Sequence, residues 1–221
     1  MREPALDYPD YKSTALRHPK QPLVYLPEQV TETTGPQLGQ LRPGTIENDL
    51  TRAGPVGERI TVSGRLRDVA GRPIRDSLIE IWQANAAGRY RHRWDNWPAP
   101  LDPNFAGGGR TVTDSEGRYE FLTIKPGPYP WGNHYNAWRP AHIHFSLLGR
   151  SFEQRLVTQM YFPGDPLLPY DPIFNSVRDP RARERMISRF SIDDSQDNWA
   201  LAYRFDIVLG GRDATPIEEV H

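Results

Sequence analysis

Short strand-like runs, most of which alternate between apolar and polar residues, are the feature that most constrains how this chain can fold. Side chains along a β-strand point alternately to the two faces of a sheet, so each run predicts a short strand with one buried face. The runs are separated by turn-forming residues and occupy 59–66, 77–84, 110–113, 118–124, 141–147, 154–162 and 201–209. Six or seven such strands predict a mainly β fold, with a β-sandwich core of short, mostly antiparallel strands.

The connections between these runs carry both turn signals and long loops. Residues 68–73 (DVAGRP) predict a turn, and residues 114–117 (DSEG) predict a hairpin turn between the two runs that flank them. The connections 85–109 and 124–140 are long and are rich in aromatic residues, arginine and histidine. Long ordered loops on a rigid sandwich usually carry function, so we expect the functional residues to lie there.

Outside the predicted strands the chain has one helix signal and one long arm. Asp179 is a suitable N-cap, Pro180 fits the first helical position, and the helical pattern continues to Phe190. Residues 1–58 contain many Pro, Thr and Gly residues without sustained periodicity, which predicts an extended N-terminal arm that wraps the core or a partner chain. We therefore divide the chain into this arm and a β-sandwich domain, 59–221.

The composition excludes several classes of function. The chain has no cysteine, which excludes disulfides, thiolate metal sites, iron–sulfur clusters and a cysteine nucleophile. Its 27 Lys and Arg residues nearly balance 28 Asp and Glu residues, so no bulk charge attracts nucleic acid. No apolar run approaches the roughly 20 residues that cross a bilayer, and the N-terminus lacks the apolar centre of a secretory signal. We expect a cytoplasmic protein that binds neither nucleic acid nor membrane.

Two histidines separated by one residue, His142 and His144, are the sharpest local signal of chemistry. On a strand they share a face and lie about 6.5–7 Å apart, so both imidazoles can reach one metal ion. The alternate residues at 141, 143, 145 and 147 are apolar and take the opposite face. The pattern alone fits either a metal site or a pair of surface or hydrogen-bonded histidines.

Any further metal ligands must come from elsewhere, because no Asp or Glu lies within a few residues of the histidine pair. Two of the ten tyrosines lie in sharply defined loop segments, Tyr90 in 86–93 (AAGRYRHR) and Tyr129 in 125–131 (KPGPYPW), where each fits a packing or hydrogen-bonding role as well as a ligand role. Free tyrosine has a pKa of about 10, so a ligating phenolate needs a strong Lewis acid beside it. Among the common biological metals, ferric iron meets that need best, because it is hard and highly charged.

Several segments of the chain resemble the intradiol ring-cleaving dioxygenases in order and spacing. The resemblance extends from about Tyr11 to about Leu209 and includes the stretches 31–36 (TETTGP) and 161–167 (YFPGDPL). Within this family the chain is most similar to the branch that acts on protocatechuate. The longer segments that carry the resemblance are 79–92 (IEIWQANAAGRYRH), 99–105 (APLDPNF), 123–131 (TIKPGPYPW), 138–145 (WRPAHIHF) and 201–209 (LAYRFDIVL).

The resemblance implies one mononuclear, non-haem Fe(III) held by Tyr90, Tyr129, His142 and His144, with hydroxide as the fifth ligand. Two phenolates and one hydroxide balance the charge of ferric iron, so the implied site buries no net charge. The implied reaction uses O2 to open a catechol between its two hydroxylated carbons and converts protocatechuate to 3-carboxy-cis,cis-muconate. In that reaction Tyr129 also accepts a proton from the substrate.

The resemblance also implies roles for five residues around the metal. Arg139 would stabilise negative charge that develops on the substrate ring, and Gln159 would form a hydrogen bond near the same place. Trp131 and Ile173 would wall the cavity, and Tyr11 would reach the substrate from the arm. Without the resemblance, these five residues fit core packing, backbone hydrogen bonds or surface contacts.

Three further residues near these segments have no assigned role in chemistry. His92 lies two residues after Tyr90, but the implied metal shell is already complete, so we predict a hydrogen-bonding or structural role for it. His134 and Tyr135 lie in the loop before Trp138, and the resemblance implies no role for either.

The resemblance implies a partner chain as well as a substrate. In this branch a β chain carries iron, and a homologous α subunit completes the substrate pocket in higher αβ assemblies. The four ligand residues favour the β role, because such α chains lack the set. Two alternatives remain. One is an intradiol dioxygenase for catechol or hydroxyquinol, which usually has a helical N-terminal region that 1–58 does not resemble. The other is a non-catalytic β-sandwich binding module, which predicts loss of a ligand or of Arg139.

Overall fold

A computed structural model of the chain describes residues 18–21, 47–132, 135–148 and 156–217. Within these ranges the backbone forms mainly strands, as predicted, together with two short α-helices and one 3-10 turn at Leu168–Tyr170. In chain order the strands and helices are β1 Arg59–Asp68, β2 Leu78–Trp82, β3 Gly108–Val112, β4 Arg118–Ile124, β5 Tyr129–Trp131, β6 Ala137–Arg139, β7 His142–Leu148, β8 Leu156–Tyr161, α1 Pro172–Ser176, α2 Pro180–Glu184, β9 Arg189–Gln196, β10 Ala200–Arg204 and β11 Ile207–Leu209.

Two sheets and one small ribbon contain these strands. The first sheet is built around β1, which pairs antiparallel with β4 and parallel with both β10 and β11, while β9 extends the sheet beyond β10. The second sheet has the order β3-β2-β7-β8 and is antiparallel throughout. Strands β5 and β6 form a separate antiparallel ribbon. The prediction of mostly antiparallel strands is confirmed. The exceptions are the parallel pairings of β1 with β10 and with β11.

The two sheets pack face to face around a core of alternate apolar side chains, as in a β-sandwich. Phe145 of β7 lies at the centre of this core. Its ring contacts Tyr119 and Phe121 of β4, with ring centroids 6.0 and 5.7 Å away. It also contacts Phe205, which lies between β10 and β11, at a centroid distance of 5.2 Å. Burial of one side chain of this size contributes about 1.5–3 kcal/mol. The apolar face of β7 therefore holds the second sheet in place and leaves the opposite face for polar residues.

The turn at 114–117 forms as predicted, with the Gly117 amide donating to the Asp114 carbonyl oxygen at 3.0 Å. The predicted hairpin is wrong, because β3 pairs with β2 in the second sheet whereas β4 pairs with β1 in the first. The turn therefore carries the chain from one sheet to the other. A turn signal predicts that the chain reverses, but core packing decides which strands pair.

The run 201–209 forms two strands, β10 and β11, rather than the single strand that its alternation predicts. The ladder is interrupted at Phe205, whose carbonyl oxygen accepts a hydrogen bond from the Tyr119 hydroxyl. Tyr203 and Phe205 are buried as predicted, so the alternation continues across the interruption. Leu201, which was expected on the same buried face, is exposed instead.

Helix α2 begins as predicted, with the Asp179 carboxylate accepting a backbone hydrogen bond at 3.0 Å, but it ends at Glu184 instead of continuing to Phe190. The following backbone is held by β8, because the Tyr161 amide donates to the Met186 carbonyl oxygen at 2.8 Å. These tertiary hydrogen bonds override the helical pattern and lead the chain into β9. No helix among the described residues is long and apolar enough to span a membrane.

Most of the predicted arm, 1–58, lies outside the described residues. Its last part packs against the sandwich: the Leu50 amide donates to the Leu122 carbonyl oxygen at 2.8 Å, and the Leu50 side chain is buried. The Arg110 amide also donates to the Glu47 carbonyl oxygen at 3.0 Å. This last part of the arm therefore contacts the sandwich, while the boundary at residue 58 and what the arm as a whole wraps stay predictions.

Gly64 in β1 lies where the first sheet leaves no room for a side chain. A Cβ atom at this position would lie 1.9 Å from the Phe205 carbonyl oxygen and 2.8 Å from the Tyr119 hydroxyl oxygen. We expect Gly64→Ala to lower the free energy of unfolding by about 3 kcal/mol or more, because the backbone must move. Urea unfolding followed by circular dichroism measures this loss. Gly132→Ala is the control, since a Cβ there meets no described atom within 4 Å; equal stability of the two variants would contradict the expectation.

Candidate metal centre

Strand β7 presents His142 and His144 on the face opposite the core. Ile143 and Phe145 are fully buried in the core, as the alternation predicts, and the two histidines are themselves only 2% and 9% exposed. Trp82 lies opposite His144 on β2, and its ring stacks on the imidazole with centroids 4.7 Å apart and 5° between the planes. This flat contact fixes the plane of the His144 ring.

Tyr90 is placed by the loop that follows β2. The Asp95 carboxylate folds this loop back by accepting a hydrogen bond from the Tyr90 amide at 2.7 Å. Gly88 in the same loop has a φ of 76°, and a Cβ there would lie 2.1 Å from the Pro128 carbonyl oxygen. Glycine therefore permits the close approach of this loop to the segment that enters β5. The approach brings Tyr90 beside Tyr129, the first residue of β5.

The four predicted ligands, Tyr90, Tyr129, His142 and His144, form one cluster. Ring centroids are 4.8 Å apart for the two histidines and 5.3 Å apart for the two tyrosines. Between the two pairs, the Tyr129 and His142 centroids are 5.6 Å apart, and those of Tyr90 and His144 are 6.4 Å apart. The Tyr129 hydroxyl oxygen lies 3.3 Å from His142 Nε2. The fold thus brings residues that are up to 54 positions apart (144 − 90) into one set of four donors.

The imidazole of His142 is oriented for ligation. Its Nδ1–H donates to the Pro140 carbonyl oxygen at 2.7 Å, so Nε2, which faces Tyr129, carries the lone pair. Burial, together with the charge of Arg139, lowers the pKa of His142 well below its usual value. The ring is therefore neutral near pH 7, which is the form that binds a metal ion.

The donor set suits a hard and highly charged cation such as ferric iron. Phenolate oxygens are hard donors, and they form near neutral pH only beside a strong Lewis acid. Among the described residues, no three or more His, Asp or Glu side chains lie close enough together to hold a metal ion. The two tyrosines are therefore needed to complete a four-donor shell around the histidine pair.

An aromatic cavity of about 700 Å³ opens beside this cluster. Three of the four predicted ligands line it, and no lysine or arginine is among its described lining residues. Flat apolar walls with a few converging polar groups suit a planar aromatic ligand. The side chains that give the cavity this character include Trp82, Tyr90, Trp94, Trp97, Tyr129 and His144.

Arg139 lies in a buried polar network and pairs with Tyr129 across the β5–β6 ribbon. Its Nε lies 2.9 Å from Asp171 Oδ1. Its Nη2 donates to Gln159 Oε1 and to the Tyr161 hydroxyl oxygen, the latter at 3.3 Å. Burial disfavours the charged guanidinium, but the oxygens of Tyr161 and Asp171 outweigh that effect and raise the pKa of Arg139. Arg139 is therefore a permanent buried cation beside the cluster of four predicted ligands.

Of the three predicted substrate-binding residues, the structure describes two, Trp131 and Ile173. Trp131, at the end of β5, lies near Arg139, whose guanidinium carbon is 5.8 Å from the indole centroid. Ile173 lies in the first turn of α1, where its amide donates to the Asp171 carboxylate at 3.2 Å. Tyr11 lies outside the described residues. The roles of these residues in substrate binding stay predictions.

His92, His134 and Tyr135 have no assigned role in chemistry, and the structure describes two of them, His92 and Tyr135. His92 lies on the rim of the cavity, and its Nδ1 accepts a hydrogen bond from the Trp94 amide at 3.2 Å. This is the hydrogen-bonding role that was predicted for it. Tyr135 is 83% exposed in the loop before β6, and His134 lies outside the described residues.

Three residues that shape the site, Trp82, Tyr161 and Asp171, are not singled out by the sequence. Trp82 and Tyr161 reach the site through the register of β2 and β8 against β7, which no local pattern predicts. Asp171 has a local signal, because it precedes Pro172 and caps α1 just as an Asp-Pro pair begins α2. That signal predicts the helix cap but not the burial of the carboxylate.

Two family models match the chain. A model described as Dioxygenase matches residues 33–211, and a model described as Protocatechuate 3,4-dioxygenase beta subunit N terminal matches residues 4–29. The protocatechuate 3,4-dioxygenase beta chain of Burkholderia cepacia is 58% identical over 97% of this chain and 93% of its own length. The protocatechuate 3,4-dioxygenase alpha chain of Pseudomonas putida is 31% identical over 88% of this chain and 97% of its own length.

Solved structures share the same fold. The dioxygenase domain of a dioxygenase carbohydrate-binding protein fusion from Streptomyces sp. SirexAA-E has a TM-score of 0.55 and 26% identity, with 74% of this chain and 87% of that chain covered. For 3-chlorocatechol 1,2-dioxygenase from Rhodococcus opacus 1CP the TM-score is 0.58 at 26% identity, with 76% and 68% covered. The chain belongs to the intradiol dioxygenase family, whose members use non-haem Fe(III). Within the family it is a homologue of the β chain of protocatechuate 3,4-dioxygenase.

Proposed function

We propose that this chain is the iron-bearing β subunit of a protocatechuate 3,4-dioxygenase, which uses O2 to convert protocatechuate to 3-carboxy-cis,cis-muconate. The proposal is carried by the clustering of Tyr90, Tyr129, His142 and His144 in a chain that is 58% identical to such a subunit. These four side chains would hold one mononuclear Fe(III). When bound, ferric iron supplies a Lewis acid that keeps the phenols ionised and activates a chelated catechol towards O2.

Tyr129 is the residue that we assign to accept a proton from the substrate. Its hydroxyl oxygen lies next to His142 Nε2, at the centre of the ligand cluster and on the wall of the cavity. Free tyrosine has a pKa of about 10, so a tyrosine phenolate is in general basic enough to take the proton of a catechol hydroxyl group.

Arg139 and Gln159 are the residues that we assign to stabilise charge on the substrate. Interactions of the buried Arg139 guanidinium with negative charge are stronger than in water, because its surroundings have a low dielectric constant. Gln159 Oε1 accepts a hydrogen bond from Arg139, whereas its Nε2 is buried and has no hydrogen-bond partner among the described residues. A buried amide donor in this situation is suited to an acceptor that arrives with the substrate.

A homologous α subunit completes the pocket in this proposal. Protocatechuate carries a carboxylate, which needs cationic or hydrogen-bonding partners when it is taken out of water. The described lining of the cavity contains neither lysine nor arginine, so recognition of the carboxylate falls to the α subunit or to residues outside the described ranges, such as Tyr11. We further propose that the αβ units form a higher oligomer; the cytoplasmic location stays a prediction.

We expect the chain to consume O2 with protocatechuate when it is co-expressed with its α partner, and to be much less active without the partner. The physical reason is that the carboxylate subsite is incomplete in this chain alone. An oxygen electrode measures O2 uptake, and the absorbance change of the ring follows its opening. Catechol is the matched control substrate, because it has the same two hydroxyl groups but no carboxylate.

Two results would redirect the assignment. A preference for catechol or hydroxyquinol, or full activity without any partner, would favour an intradiol dioxygenase of those substrates. An iron-free, colourless and inactive folded protein would favour a non-catalytic sandwich instead. The last possibility predicts loss of a ligand or of Arg139, and all five residues are retained.

A further inference from the structure

The carboxylate of Asp171 makes more contacts than a helix cap requires. It accepts the Ile173 amide at 3.2 Å and lies 2.9 Å from both Arg139 Nε and the Tyr161 hydroxyl oxygen. Asp171 is completely buried, and Arg139 is 2% exposed. Burial of an ion pair has a large desolvation cost, so one that is maintained in this form calls for a reason other than stability.

A second aspartate in the same chain shows what capping alone needs. Asp179 also precedes a proline and accepts the Arg181 amide, at 3.0 Å, to cap α2. Its side chain is exposed, unlike that of Asp171. The two caps therefore have the same chemistry, but of the two only Asp171 is buried against Arg139.

Tyr161 and Gln159 complete the surroundings of the Arg139 guanidinium. The Tyr161 hydroxyl lies 2.9 Å from both Asp171 Oδ2 and Gln159 Oε1 and has one proton, which the charged carboxylate accepts more strongly. Arg139 Nη2 then donates to Gln159 Oε1 and to the Tyr161 hydroxyl oxygen. The guanidinium thus forms an ion pair with Asp171 on its Nε side and donates hydrogen bonds from Nη2 to Gln159 and Tyr161, and these contacts together limit its rotation.

The network lies beside the strand that bears the histidine ligands. On β8, Gln159 lies opposite His144 and Tyr161 lies opposite His142. The Tyr161 and His142 ring centroids are 5.8 Å apart. A small displacement of the guanidinium would therefore change the position of the buried positive charge relative to the four predicted ligands.

We propose that Asp171 is a positioning residue for ring cleavage, which acts through Arg139 and is assisted by the Tyr161 hydroxyl. The inference rests on the proposed function, and it assigns to Asp171 no contact with substrate. Its effect is to hold the Arg139 guanidinium in the one orientation that faces charge developing on the substrate. Catalytic groups lose much of their effect when they are displaced by about 1 Å, so loss of this support slows turnover.

The test compares Asp171→Asn with Asp179→Asn in the αβ holoenzyme. Asparagine caps a helix as well as aspartate, so both variants keep the cap and only the first removes the charge beside Arg139. We expect Asp171→Asn to lower kcat by about 10- to 100-fold, as is usual for a supporting residue, and to change KM by less than about threefold. The visible band of the ferric centre should be unchanged in both variants, and Asp179→Asn should keep the kcat of the unsubstituted enzyme.

A third variant guards against a folding defect. Tyr161→Phe keeps both charges of the pair, so it folds even where Asp171→Asn does not, and we expect it to lower kcat by about 3- to 10-fold. In an Arg139→Ala background, Asp171→Asn should cause no additional loss of kcat, because the two residues act as one unit. A further loss in that background would mean a merely structural role and would overturn the proposal.

The remaining outcomes separate this inference from the proposed function. Absence of ring cleavage by the unsubstituted αβ enzyme would overturn the proposed function and with it the inference. An active enzyme in which Asp171→Asn and Tyr161→Phe keep full kcat would overturn the positioning role alone. A crystal structure of Asp171→Asn gives a readout independent of activity: a displaced Arg139 guanidinium supports the proposal, and an unmoved one overturns it.

Discussion

Replacing Tyr90 by phenylalanine is expected to slow ring cleavage severely and to weaken the reddish colour that ferric tyrosinates give, because Tyr129 would be the one phenolate left in the proposed shell. The substitution removes one of the two phenol oxygens in the ligand cluster, which in the proposed function would supply charge as well as a bond to iron. A Lewis acid contributes several kcal/mol to a transition state, and about 1.4 kcal/mol corresponds to a factor of ten. Turnover should therefore fall by at least about a thousandfold. Visible absorption, iron content per chain and O2 uptake measure the three effects.

Tyr203→Phe is the matched control for this prediction. Tyr203 is also a buried tyrosine, but it lies in β10 and packs on Phe162, with ring centroids 5.0 Å apart. Loss of its hydroxyl should leave colour, iron content and turnover unchanged. A Tyr90→Phe protein that keeps its colour and its activity would remove Tyr90 from the metal shell.

Arg139→Ala is expected to slow turnover by about 100- to 1000-fold while iron and colour are retained. This is the usual cost of removing one group that stabilises charge in a transition state. The same substitution leaves the Asp171 carboxylate buried without its counter-ion, which should lower the free energy of unfolding by about 3–5 kcal/mol. Steady-state O2 uptake, iron analysis and urea unfolding separate these effects.

Arg204→Ala provides the comparison for the second prediction. Arg204 also pairs with an aspartate, Asp194, but this ion pair is on the surface, where such pairs contribute little to stability. Both turnover and stability should stay close to those of the unsubstituted protein. If Arg139→Ala lost its iron instead of its turnover, Arg139 would be a structural support of the metal shell and not a residue that acts on substrate.

The fold was predictable where burial imposes an alternating pattern. Strands β1, β4 and β7 are predicted within a few residues, because each has one face in the core. Strand β9 was missed and partly assigned to a helix, because its residues, RFSIDDSQ, are mostly exposed and include only two alternate apolar side chains, Phe190 and Ile192. The hairpin at 114–117 was assigned to the wrong partners, because pairing depends on contacts between distant parts of the chain.

The candidate site was predictable in part for similar reasons. His142 and His144 are visible as a local pattern, since one strand places both on the same face. Tyr90 and Tyr129 could be assigned as ligands only by resemblance to a family, because their proximity depends on the loop contact at Gly88. Asp171 joins the network through tertiary packing that no short motif encodes.

The positions of the four proposed metal ligands have a consequence for how the protein matures. Tyr90 belongs to the loop after β2, Tyr129 to the β5–β6 ribbon, and the histidines to β7, and these units meet only when the whole sandwich has assembled. No short fragment of the chain brings all four donors together, unlike the compact metal-binding modules that fold around their ion. We therefore expect the chain to acquire its tertiary structure first and its metal second. Iron starvation would leave a well-shaped but inactive precursor that later supply of the metal can still convert.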